Sequence, residues 1–100
     1  MKQDYAEGVR LWRIAAKRGF TESQVHLGYA YTDGKYLQLD YIEAYAWAKS
    51  AAHYASQGQD TEMLRRVRNL IKLSSEGLSE ARRLEAEKKA SGYISKHKPL

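Results

Sequence analysis

Apolar side chains along the chain recur at helical spacing, in short amphipathic runs separated by polar turns. Met63, Leu64, Val67, Leu70 and Ile71 form one stripe, with Arg65, Arg68 and Lys72 on the other side, which predicts an amphipathic helix following Asp60. Another helix is predicted between Phe20 and Gly34, where Thr21-x-x-Gln24 reads as a capping box and Gly34 as the residue that closes the last turn. A final helix, from about Leu78 to Ala90, has fewer apolar positions, Leu78, Ala81 and Leu84, and denser charge. Beyond Ser91-Gly92, residues 93–100 show no periodicity and read as a flexible tail. No strand-like alternation bounded by hairpin turns occurs, so the pattern predicts an all-α chain.

Displacing the chain on itself by 36 residues aligns Asp4 through Gly19 with Asp40 through Ala55. Asp4/Asp40, Tyr5/Tyr41, Glu7/Glu43, Ala15/Ala51 and Ala16/Ala52 are identical, and Gly8/Ala44 and Gly19/Ala55 are both small. Five identities in sixteen exceed the roughly one expected from average residue usage. They fall where a helix start needs them. The aspartate caps, the glutamate returns a bond to the cap's amide, and the small residues allow close packing. Carried forward, the same offset sets Leu27 on Met63 and Tyr31 on Val67. The predicted architecture is a short α-solenoid of two stacked antiparallel helix hairpins plus a C-terminal capping helix, about five helices within 1–92. Repeat one covers 4–39, repeat two 40–75 and the capping helix about 76–91.

At 100 residues, 43% hydrophobic, the chain has room for one domain and one modest core. With a mean hydropathy of -0.70 and no apolar run near the roughly 20 residues of a membrane span, no membrane association is expected. The start, Met1-Lys2-Gln3-Asp4, leads into a patterned helix and not into a signal-peptide block. A chain complete as given is expected in the cytoplasm, whereas the end of a longer repeat array leaves the compartment open. The absence of cysteine removes disulfides, thiol nucleophiles and cysteine zinc sites together.

His26, His53 and His97 never stand three or four residues apart, so no metal is expected. There is no phosphate-cradling glycine loop, and Ser23, Ser50, Ser56, Ser74 and Ser75 have no evident base. Glu7 and Glu43 belong to matching helix starts and are read as caps, not as a catalytic pair. Neither catalysis nor a cofactor is expected.

The net charge of +5 is uneven, +1 up to Gly58 and +4 beyond it. A basic C-terminal region allows an anionic partner. Nucleic-acid binding is the alternative function considered, through Arg65, Arg68 and Lys72 on one helix and Arg82 and Arg83 on the next, if neighbouring helices merge them into one patch. Interspersed acids, as in Glu80-Ala81-Arg82-Arg83-Leu84-Glu85, weaken that field and suit a solvated helix face.

Two strings together resemble the Sel-one-like repeat, a branch of the tetratricopeptide-type α-solenoids with a period near 36 in its bacterial members. One is Gly19-Phe20-x-x-x-Gln24-x-x-Leu27-Gly28-x-x-Tyr31-x-x-Gly34, and the other Asp40-Tyr41-x-Glu43-Ala44-x-x-Trp47-x-x-x-Ala51-Ala52. The resemblance covers Asp4 to about Leu73. Leu11 departs from it where Trp47 fits, Trp12 lies one residue out of register, and Gly28 is answered by Leu64. It implies a non-catalytic adaptor that presents a concave surface, lined mainly by the first helix of each hairpin, to a protein or peptide.

On those first helices, Val9, Arg13 and Lys17 form one line, which the offset carries onto Tyr45, Lys49 and His53. Lining a groove, they would suit an acidic peptide or a C-terminal carboxylate; otherwise they are solvated positions. Trp12, displaced from its packing position, reads either as an exposed anchor and self-interface or as a residue buried by a small helix rotation. Most of the eight tyrosines are expected to pack between helices. So short a stack leaves its ends bare, which allows a homodimer.

Overall fold

The computed structural model describes residues 5–34, 37–55 and 61–96, and these form five helices. In chain order they are α1 (Tyr5–Lys17), α2 (Thr21–Asp33), α3 (Tyr41–Ala55), α4 (Thr61–Ser75) and α5 (Glu80–Lys96). No strand occurs among the described residues, and the chain is all-α, two helix hairpins with a fifth helix. α3 is the centre of the assembly, packed on α2, α4 and α5, while α1 packs on α2.

The turn chemistry explains the boundaries. Gly34 closes α2 in the left-handed conformation, φ 71°, and its N–H donates to the Ala30 carbonyl, as the sequence predicts. Asp40 caps α3: its Oδ1 accepts the Glu43 N–H at 3.1 Å. The capping box around it is only half formed, because the Asp40 N–H donates to the Tyr31 carbonyl and the Glu43 carboxylate is used elsewhere. Ser79 starts α5, its Oγ accepting the Arg82 N–H.

The capping box expected at Thr21 is not formed. Thr21 is already inside the helix, and Phe20 occupies the cap position without a side-chain bond. Gln24, wholly buried, turns back across the hairpin and donates its amide to the Ala16 carbonyl at 2.9 Å. The Ala16 carbonyl also accepts the Gly19 N–H at 3.0 Å, so Gln24 supplies its second donor and ties the start of α2 to the end of α1. Gln24→Ala is therefore expected to cost about 2 kcal/mol, a lost buried hydrogen bond plus a small void, measured as a drop in the urea midpoint at unchanged slope.

The core has two centres. Val9, Ala16, Leu27, Tyr31, Ala44 and Trp47 form the first, with Trp12, Leu37 and Tyr93 against it. Val25, Ala51 and Val67 form the second, flanked by Tyr29, Met63 and Ile71. Tyr29 ties α2 to α4 as well, donating its hydroxyl to the Arg66 carbonyl at 3.1 Å and accepting from Asn69 Nδ2 at 3.0 Å.

The expected tail is the main correction to the reading of the chain. The last helix does not stop near Ala90 but runs to Lys96, so 93–96 is helical; 97–100 lies outside the described residues. Its buried face also differs from the one expected. Ala81 and Leu84 are exposed, whereas Ala86 and Ala90 are buried and Tyr93 stacks on Trp47 with ring centroids 4.0 Å apart. Small residues one turn apart let α5 lie close on α3, and Tyr93 then fills the space beside the indole.

Candidate interaction surface

The face of α3 that α5 covers carries a polar frame. Glu43 accepts from both Lys89 and the Tyr93 hydroxyl, the latter at 2.6 Å. Tyr45 donates to Glu87 at 3.1 Å, and Tyr54 donates to the Ile94 carbonyl at 3.2 Å. Burial, then the Glu43 carboxylate, pushes the Tyr93 phenol far above the ordinary tyrosine range. Burial and Glu87 raise that of Tyr45 in the same direction, and the bond to Glu43 raises the ammonium of Lys89. Glu43 thus joins α3 to α5, a role the capping interpretation missed.

This arrangement decides how the expected groove residues sit. Val9 and Tyr45 are not an open floor, since they are only 7% and 5% exposed, in the core and under α5 respectively. Arg13 lies with its guanidinium carbon 5.8 Å above the centre of the Tyr31 ring, and Lys17 is exposed at the end of α1. Half-buried Lys49 and exposed His53 border a cleft of about 510 Å³ beside α5, together with Ala52, Glu87, Ala90, Ser91 and Ile94. The two predicted lines therefore do not form one continuous surface. α5, misjudged in length and in buried face, occupies the space in front of α3.

Trp12 is neither fully exposed nor lost in the core. The indole is half-buried and stacks on His26, centroids 5.2 Å apart and planes 14° from parallel. Around that pair opens a cleft of about 440 Å³, lined by Trp12, His26, Tyr29, Thr32, Asp33 and Leu73 among others. It combines ring faces, a hydroxyl, an exposed carboxylate and an exposed leucine edge, the mixture that holds one side chain of a partner and orients it. In repeat two the position matching Trp12 is Ala48, wholly buried, so the cleft has no counterpart there. The one-residue displacement of the tryptophan was its only sequence signal.

The basic residues do not merge. Arg65, Arg68 and Lys72 are exposed on α4, Arg82 and Arg83 on the first turns of α5, but α4 and α5 each pack on α3 and not side by side. Arg65 is also engaged by Glu62 one turn earlier. Of the tyrosines, Tyr31 and Tyr45 are buried and Tyr29, Tyr41, Tyr54 and Tyr93 half-buried; the side chains of Tyr5 and Tyr36 lie outside the described residues. Among the described residues no cluster of three histidine or acidic side chains could hold a metal ion, and no helix is long and apolar enough to cross a membrane.

Compared with protein-family models, with curated proteins and with solved structures, the chain gives no match. The functional reading consequently rests on the surface itself.

Proposed function

We propose that the chain is a non-catalytic protein-interaction module of the Sel-one-like type, holding a protein or peptide partner on its helical surface. The observation that carries this reading is the Trp12 cleft, an aromatic and polar recess on a scaffold whose two hairpins hold its walls in place. Leu73, 43% exposed, lines it. The net charge of +5 favours an acidic partner through long-range attraction.

The test is selection from a random peptide library on the immobilised protein, followed by titration of the winners against Trp12→Ala. Peptides that bind the parent protein are expected to lose at least about tenfold in affinity on that variant, since an aromatic anchor at the centre of an interface carries much of its energy. A library that yields no binder, or binders indifferent to Trp12, would overturn the reading. The helical far-ultraviolet signal of Trp12→Ala, measured alongside, separates lost recognition from lost folding.

A further inference from the structure

Glu7, Leu11, Ile14 and Arg18 follow one another at steps of four, three and four residues, so they stand in one line along α1 and the turn that ends it. All four are exposed, Leu11 to 52% and Ile14 to 41%. Val9 and Ala16, which hold α1 in the core, point to the other side.

The 36-residue repeat shows what such a line is built to meet. Displaced by that offset, these residues become Glu43, Trp47, Ser50 and Tyr54. Three of those four touch α5: Glu43 takes Lys89 and Tyr93, Trp47 stacks on Tyr93, and Tyr54 bonds the Ile94 carbonyl. The fourth, Ser50, is wholly buried. In repeat two, then, the line lies under a docked helix whose lysine pairs with its glutamate. In repeat one no helix among the described residues is seen packed over the same line, and its residues are exposed.

We propose that the helix received by this face of α1 is α1 of a second copy of the chain, running antiparallel about a two-fold axis that passes between Trp12 and Arg13. The line is complementary to itself in that orientation, and this selects a second copy over other helices. Its acid lies at the N-terminal end, its base at the C-terminal end and its two branched apolar residues between. Antiparallel pairing sets Glu7 against Arg18 of the second copy at both ends and Leu11 against Ile14 in the middle, the isologous pattern of a closed dimer. Glu7 would receive a cation from the incoming helix as Glu43 receives Lys89. Its present pairing with Arg10 is an exposed one along the same helix, which a second arginine joins without displacing. Beside the line, a Cβ added at Gly8 would meet nothing within 4 Å, so the backbones have room to approach. The inference rests on the interaction-module reading but uses a face separate from the Trp12 cleft.

The experiment is light scattering coupled to size exclusion, from about 10 µM to about 1 mM protein, on the parent chain, Glu7→Arg, Arg18→Glu, and an equimolar mixture of the two variants. The parent mass is expected to rise from 11.5 kDa to twice that value with concentration. Each variant places like charges at both ends of the pair, and its dimer Kd is expected to rise at least about tenfold. In the mixture every end again pairs an acid with a base, so dimerisation returns to within about threefold of the parent. Leu84→Arg, on an apolar residue 56% exposed on α5, serves as control and is expected to leave the mass unchanged. A parent chain that stays monomeric, variants that dimerise like the parent, or a mixture no better than its components would each overturn the proposal. A monomer that still selects peptides through Trp12 overturns the dimer and spares the module; a dimer that selects none does the reverse.

Discussion

Trp47→Ala is expected to lower the stability of the chain by about 3–5 kcal/mol, a large part of the roughly 5–15 kcal/mol that holds a domain of this size together. The indole is 3% exposed, belongs to the larger core centre, and stacks within 11° of parallel on Tyr93. Its removal opens a void that α1, α2 and α5 all border through Val9, Leu27 and Tyr93. The loss is therefore not local to α3. Thermal unfolding should shift down by more than about 12 °C. Hydrogen exchange should rise first across residues 86–94, because the ring on which Tyr93 rests is gone and the bonds from Glu43 and Tyr54 to α5 are left exposed to water. An unchanged exchange rate in α5 would mean that the polar frame alone holds that helix.

Gly28→Leu is expected to be nearly as damaging, at about 3 kcal/mol and a fall in the melting midpoint of roughly 12–24 °C. A Cβ at this position would lie 2.3 Å from Leu70 Cδ2, 3.3 Å from Leu70 Cγ and 3.5 Å from the Ala44 carbonyl oxygen. Leu70 is wholly buried, so it has little room to swing aside, and the backbone of α3 stands behind. Gly28 is the point where α2 approaches both α3 and α4, and a large side chain there must part all three. A melting midpoint that does not move would show that the helices can separate at Gly28 without cost.

Most of the helices were legible because local chemistry and tertiary packing agree in them. Gly34 ends α2 through a conformation that glycine adopts easily, Asp40 caps α3, and the stripe of α4 buries Val67 and Leu70 while Arg65, Arg68 and Lys72 stay in water. The repeat offset was equally informative about spacing. It could not foretell which side of a helix finds a partner. α5 carries two candidate faces, one with Ala81 and Leu84 and one with Ala86, Ala90 and Tyr93. Closeness of approach decides, since two alanines let a helix lie nearer to α3 than a leucine does, and Tyr93 then reaches Trp47.

The site was less legible for the same reason. Val9 and Tyr45 follow the spacing of Arg13, Lys17, Lys49 and His53, and only the packing of α1 into the core and of α5 over α3 shows that the first two are buried. Glu43 has the spacing of a capping residue, and its carboxylate is free for Lys89 because the Tyr31 carbonyl already takes the Asp40 amide. Trp12 stood out by its register alone. Its stacking on His26 joins residues of two helices, and no rule of spacing along one helix contains it.

α5 packs on α3 and not on α4, the helix nearest to it along the chain, and this bears on the order in which the chain is expected to fold. α1 with α2, and α3 with α4, can meet as soon as the turns between them close. α5 must instead return across a helix of 15 residues before it finds its place. Loop closure costs more for distant segments than for neighbours, so both hairpins are expected to form before it docks. During synthesis, which delivers the N-terminal end first, α1 and α2 are at hand to pack on Trp47, but the face of its indole that meets Tyr93 is covered only when α5 follows.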